Sequence, residues 1–148
     1  MKHLDDLLLL GNPKLYEVSE PVLESELSQV TGWVADLHQV MEEIRAKYPF
    51  GRGIAAPQLG IMKRLIYLNV NQPLVMINPR WVHQSPEMFE VWDDCMCFPN
   101  LLVKVMRHQE VTIRYRDEAW NDQELTVRDD LSDLIQHEYG HLEGILCT

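Results

Sequence analysis

The sequence predicts an α+β domain in which antiparallel sheets pack around a C-terminal helix, with a second helix near the N-terminus. Two segments have apolar residues at spacings of three and four, as helices do, and short stretches between them have the composition or alternation of strands. The chain has 148 residues and contains no internal repeat or linker. We therefore interpret residues 1–148 as a single domain.

The first helix is predicted over about residues 23–48, where apolar side chains recur at helical spacing. Residues 1–22 are predicted to be loop-like, because Gly11-Asn12-Pro13 and Pro21 interrupt any regular pattern. The helix is expected to end at Tyr48, since a residue before proline avoids helical backbone angles.

Short strands are predicted in the middle of the chain, at residues 65–70 and 74–77, with Asn78-Pro79 ending the second. Residues 110–115 alternate cleanly between apolar and polar side chains, and residues 124–127 are a candidate partner for them. A last helix is predicted over residues 130–146, where acidic side chains in the first turns suit the helix dipole.

An HExxH motif, His137-Glu138-Tyr139-Gly140-His141, lies on this last helix. Four residues advance a helix by about 400°, so His137 and His141 project from nearly the same side and can hold one metal ion. Glu138 is offset by about 100° and can reach a metal-held water without binding the metal. The alternative is two histidines that share a helix face by chance.

A catalytic metal site of this kind needs three protein ligands and one open position. Downstream of the motif, Glu143 lies on the wrong helix face, and Cys147 is expected to be frayed near the chain end. The third ligand is therefore expected upstream, where Cys95 is the best candidate and would bind as a thiolate. The alternative for Cys95 is a buried apolar cysteine, which is common.

Composition and charge limit the other functions. The net charge of −10, from 13 basic and 23 acidic residues, argues against binding dominated by nucleic-acid phosphates. Three cysteines cannot form a closed disulfide framework, so we expect a reduced, cytoplasmic protein. We expect no membrane partner, because no stretch approaches the ~20 apolar residues of a spanning helix.

Three short motifs follow one another along the chain. They are Gly51-Arg52-Gly53-Ile54-Ala55-Ala56-Pro57-Gln58, then Asp93-Asp94-Cys95-Met96-Cys97, and finally Gln136-His137-Glu138-Tyr139-Gly140-His141. In this order they resemble the motifs of the peptide deformylase family, whose members remove the formyl group from the N-terminal methionine of new polypeptides. HExxH alone is weakly specific, whereas the three motifs together are strongly specific.

The resemblance implies one divalent metal ion per chain, usually iron(II) with nickel or zinc able to substitute, held by Cys95, His137 and His141. It also implies that a metal-held hydroxide attacks the formyl carbon. Glu138 would take the proton of that water and later deliver it to the leaving amine.

The resemblance also implies how an N-formylated peptide would bind. The side-chain amide of Gln58 and the backbone N–H of Met96 would meet the developing oxyanion. Gly53 and Ile54 would hold the peptide as an added strand through main-chain hydrogen bonds.

The sequence departs from the family pattern around the pocket for the first side chain of the substrate. Arg52 stands where the family usually has an apolar residue, and Asp133 and Asp130 lie one and two turns before the first motif histidine. We hypothesise a more polar pocket, with Asp94 and Leu134 among its substrate-binding residues, in which Arg52 faces Asp133 or Asp130. The alternative is that both aspartates only begin the helix and Arg52 points to water.

Other departures adjoin the expected metal site. Asp93 replaces a glutamate and is expected to pair with Arg107, as the longer acid does in the family. Asp94 replaces a glycine, and Gly140 replaces an aspartate within HExxH. Cys97 replaces a serine and is expected to be a small packing residue, with a second thiolate ligand as the alternative.

These residues favour an active deformylase of N-formyl peptides. One alternative keeps the fold and the metal but acts on another small N-acyl compound, and another is an inactive relative that binds metal or peptide. An HExxH endoprotease is disfavoured, because no suitable ligand follows the motif. Ribosome docking through a C-terminal extension, which many bacterial deformylases carry, is not expected.

Overall fold

The computed structural model describes residues 2–98 and 101–147 and has the predicted α+β architecture. Short 3₁₀ turns precede the first helix. The helices and strands are α1 (Leu27–Lys47), β1 (Gly53–Ala55), β2 (Leu65–Asn69), β3 (Pro73–Gln84), β4 (Met88–Asp93), β5 (Val103–His108), β6 (Glu110–Arg116), β7 (Asp122–Arg128) and α2 (Asp129–Leu142). No helix in these two ranges has the length and apolar character that crossing a membrane requires.

Helix α1 buries one apolar face, which includes Val30, Leu37 and Ile44, in a core shared with β1 and β2. The helix begins four residues later than predicted, because Glu24–Glu26 forms a separate 3₁₀ turn. It ends as predicted, since Tyr48, the residue before proline, has an extended backbone.

Five antiparallel strands form one sheet in the order β1-β2-β3-β6-β7, and β4 pairs with β5 in a separate ribbon. Strand β6 buries every second side chain, as its alternation predicts. Strand β3 is longer than predicted, because Asn78 adopts a φ of 51° and the register shifts between Ile77 and Arg80. This irregularity carries the strand past Pro79, where a regular ladder would have stopped. Strands β1, β4 and β5 were not predicted.

Helix α2 packs on the sheet through Leu134, Ile135 and Leu142. It is shorter than the predicted 130–146, because Gly144, at a φ of 72°, turns the chain back on the helix. The Ile145 N–H then donates to the Gly140 carbonyl at 2.8 Å. A Cβ atom on Gly140 would lie 3.0 Å from the Ile145 carbonyl oxygen, so the glycine gives room for this turn.

Candidate metal centre

Three side chains from two separate segments meet beside α2. His137 and His141 lie one turn apart on the helix, and Cys95 follows the end of β4. The Cys95 Sγ atom is 3.4 Å from His141 Nε2, and one ligand atom from each of the three residues lies within 4.8 Å of the others. Tetrahedral bonds of about 2.0–2.3 Å place ligand atoms roughly 3.3–3.8 Å apart. This buried donor set therefore fits a single metal ion.

A chain of charged side chains orients the first histidine. Asp93 Oδ2 lies 3.1 Å from His137 Nδ1 and also accepts a hydrogen bond from Arg107 at 2.7 Å. The expected Asp93–Arg107 pair is therefore present. With Nδ1 held by the carboxylate, Nε2 is the nitrogen that remains for a metal, which is how second-shell carboxylates commonly orient ligating histidines.

Arg107 serves a second carboxylate as well, because its Nε donates to Asp133 Oδ1 at 3.0 Å. Burial alone would raise the pKa of Asp93, but hydrogen bonds from His137 and Arg107 hold that pKa well below its usual range. Burial and the neighbouring Asp93 carboxylate raise the pKa of Asp133 to about 6. Arg107 thus supplies one positive charge to two neighbouring carboxyl groups.

Glu138 lines the same cavity as Cys95 and His137 and is nearly dry, with 3% of its surface exposed. Its Oε1 atom has no hydrogen-bond partner within the described ranges. Burial raises the pKa of this carboxyl to about 7. A carboxyl group that is half protonated near neutral pH can both accept and donate a proton.

His141 is also buried, and burial lowers its pKa well below the usual range. The imidazole is therefore neutral, which is the form that binds metals. Its Nδ1 has no partner among the residues described, whereas Nε2 faces the cysteine sulfur.

Gln58 is fixed by its two ends. Its Oε1 accepts a hydrogen bond from the Ala55 N–H at 2.9 Å, which assigns Nε2 to the side of Cys97 and Cys95, at 3.3 and 3.7 Å from their sulfur atoms. Cys97 is buried and is absent from the metal-ligand groups found among the described residues, which supports its expected packing role.

A cavity of about 50 Å³ adjoins these groups. The cavity is lined by Gln58, Cys95, Met96, His137 and Glu138, together with Gly53 from β1. The same cavity is also lined by Phe50, Arg52, Asp94, Asp133 and Leu134. Ile54, the remaining predicted substrate-binding residue, is fully buried in the α1 core and does not line the cavity.

Arg52 and Asp133 line the same polar cavity, but no described ion pair joins Arg52 to Asp133 or Asp130. Asp133 is bound by Arg107 instead, and Arg52 and Asp130 are both exposed without a partner in the described ion pairs. The sequence could not reveal this competition, because Arg107 reaches α2 only through the pairing of β4 with β5.

The prediction that Cys147 is frayed near the chain end was wrong. The C-terminal turn returns the chain to the site, where Cys147 packs beside Cys95, Phe98 and Leu15. One ligand atom from each of Asp93, His137 and Cys147 lies within 4.8 Å of the others. In the sequence, this turn is indicated by its two glycines, Gly140 and Gly144.

The family described as polypeptide deformylase matches residues 4–148. The chain belongs to this family. A peptide deformylase of Rickettsia typhi is 33% identical over 144 residues, which cover 90% of this chain and 79% of the relative. A second, from Pseudothermotoga lettingae, is 33% identical over 138 residues, which cover 93% and 77%.

The fold agrees with solved structures of the same family. A class I type b peptide deformylase from Acinetobacter baumannii with Met-Ala-Ser bound matches with a TM-score of 0.88 and 28% identity, over 95% of each chain. The predicted family and fold class are therefore confirmed, and the chain is a peptide deformylase enzyme of a metal-dependent family.

Proposed function

We propose that this chain removes the formyl group from N-formyl peptides, formylmethionyl peptides among them, at a metal held by Cys95, His137 and His141. The observation that carries the proposal is the buried donor set with Glu138 beside it. The relative with Met-Ala-Ser bound supports a peptide that begins with methionine as a ligand of this fold.

The proposed metal is one divalent ion per chain, iron(II) with nickel or zinc able to substitute. A bound ion would act as a Lewis acid and make water a strong nucleophile near neutral pH. Imidazole suits all three metals and one thiolate is compatible with each, so the choice of iron rests on the family resemblance.

Glu138 is the proposed general base and acid. Its pKa of about 7 matches this task, because the group can take a proton from water and return it to the leaving amine at one pH. Its buried position keeps bulk water from competing for that proton.

Gln58 and Met96 are proposed to stabilise the negative charge that develops on the formyl oxygen. The Ala55 N–H holds the Gln58 carbonyl, so the amide N–H₂ group remains as a fixed donor near the cavity. Fixed donors aimed at a developing charge lower a reaction barrier without reorganisation. The proposed second donor is the backbone N–H of Met96, which lines the same cavity.

Strand β1 is proposed to hold the peptide backbone. It lies at the end of the strand order and pairs with β2 on one side, so its other edge can accept an added strand. A Cβ atom on Gly53 would lie 3.0 Å from Glu138 Oε2, so the absence of a side chain lets this backbone approach the site.

We also propose a reducing, cytoplasmic environment for the protein. Its three cysteines, Cys95, Cys97 and Cys147, are free thiols. A metal-binding thiol beside two others would be exposed to oxidation outside a reducing compartment.

The test is release of formate from formyl-Met-Ala-Ser by protein purified anaerobically with iron or nickel. Turnover that is lost in Glu138→Ala, with the metal still bound, is the expected result. Stoichiometric metal without turnover in the wild type would contradict the proposal and favour an inactive binding relative.

A further inference from the structure

The cavity beside Glu138 carries an unusual charge for a pocket that would hold methionine. Four carboxyl side chains line the whole cavity, those of Asp93, Asp94, Asp133 and Glu138, against the single guanidinium of Arg52. Arg52 is exposed, so its charge is screened by water.

Asp133 makes the decisive contribution. Its side chain is only 11% exposed and lies at the cavity wall. Its cation, Arg107, is shared with Asp93, which binds the same guanidinium at 2.7 Å. Asp93 also lies 3.1 Å from His137, whereas Asp133 has only the shared guanidinium among the described ion pairs. The Asp133 carboxylate therefore remains a strong hydrogen-bond acceptor at the cavity wall.

We propose that this pocket selects N-formyl substrates whose first side chain donates hydrogen bonds, in preference to methionine. The inference rests on the proposed deformylase function, because the side chain next to the formyl group then occupies the cavity that adjoins Glu138. Phe50 and Leu134 line the same cavity and provide apolar contact for the stem of such a side chain.

The physical reason is the cost of covering a buried carboxylate. A methionine thioether would displace water from Asp133 and return almost no hydrogen bonding. An amide or ammonium group within hydrogen-bond distance of Asp133 would replace that water with a charge-assisted hydrogen bond. Glutamine is the sharpest probe, because it has the length of methionine, while glutamate has the same shape without the donor.

The experiment measures formate release by the metal-loaded wild type from formyl-X-Ala-Ser, with X as methionine, glutamine, lysine or glutamate. We expect kcat/KM for glutamine and lysine to exceed that for methionine by at least about tenfold, with glutamate the poorest substrate. Methionine equal to or better than both donors would overturn this inference and leave the deformylase function intact. Turnover of none of the four would instead overturn the proposed function, and the inference with it.

A matched pair of variants tests the residue. Asp133→Leu is expected to favour methionine over glutamine, a reversal of at least about tenfold in the ratio of their kcat/KM values. Asp130→Leu makes the same change on the same helix at an exposed position outside the cavity lining and is expected to keep the wild-type order.

A third variant covers the case in which Asp133→Leu does not fold. Asp133→Asn keeps the shape and removes the charge, so it is expected to lower the preference for lysine over methionine. An unchanged order of substrates in a folded Asp133 variant would overturn the assignment of the pocket to this carboxylate.

Discussion

Glu138→Gln is predicted to change how the stability of the metal-free protein depends on pH. Burial raises the pKa of the Glu138 carboxyl from 4.5 to about 7 in the folded chain. The unfolded chain restores the ordinary value, so the folded state binds this proton more tightly. The contribution to stability is complete below about pH 4.5 and is lost as the pH rises to about 7, so the free energy of unfolding falls across that window.

The difference between the two pKa values corresponds to about 3 kcal/mol, at ~1.4 kcal/mol per unit. Glutamine has the shape of the protonated acid and cannot ionise. The variant therefore does not lose this contribution to the free energy of unfolding as the pH rises. Relative to the wild type, the free energy of unfolding of Glu138→Gln is therefore expected to rise by about 3 kcal/mol from about pH 4.5 to about pH 8.

The assay is urea unfolding followed by tryptophan fluorescence, with a chelator and a reductant present, at several pH values across that window. Asp130→Asn is the control, because it removes an exposed carboxyl from the same helix. Its pH profile should follow the wild type within about 0.5 kcal/mol. A constant difference between Glu138→Gln and the wild type across the whole range would refute the reasoning.

Three further predictions concern packing and charge. Gly53→Ala would place a Cβ atom 2.8 Å from Leu68 Cδ2, so it should cost about 1–3 kcal/mol in urea unfolding and lower kcat. Gly32→Ala is its control: nothing lies within 4 Å of that position in α1, and the change should stabilise the protein by up to about 1 kcal/mol. Arg107→Leu removes the guanidinium that two buried carboxylates share and should cost about 3–5 kcal/mol by the same assay, whereas a loss below about 1 kcal/mol would contradict the shared ion pair. Gly144→Ala would place its Cβ 2.6 Å from the backbone of Tyr16 at a positive φ, so it should lower the midpoint of thermal unfolding, and an unchanged midpoint would contradict the tight C-terminal turn.

The elements that could be predicted from the sequence are those defined by a local period. Helix α1 and strand β6 each repeat an apolar pattern over several residues, and the HExxH spacing is itself a helical period. Cys95 could be inferred because the three family motifs fix its place. The strand predicted at residues 74–77 was too short, because a proline such as Pro79 usually ends a strand. The bulge that carries β3 past this proline leaves no local signal in the sequence.

The charge network beside the site could be predicted only in part. Asp93 and Arg107 were paired by the family resemblance, but the second contact of Arg107 with Asp133 depends on how the β4–β5 ribbon lies against α2. Such long-range packing is not encoded in spacing along the chain. The return of Cys147 to the site could not be predicted for the same reason, because it depends on a turn that closes through tertiary contacts.

The central claim is that Cys95, His137 and His141 hold one metal ion that Glu138 serves. The most direct test measures metal content and formate release in the same anaerobic samples of wild type, Cys95→Ala, Cys147→Ala and Glu138→Gln. We predict one ion per chain in all but Cys95→Ala, and formate release only in the wild type and Cys147→Ala. Full metal content in Cys95→Ala, or undiminished formate release by Glu138→Gln, would contradict the account.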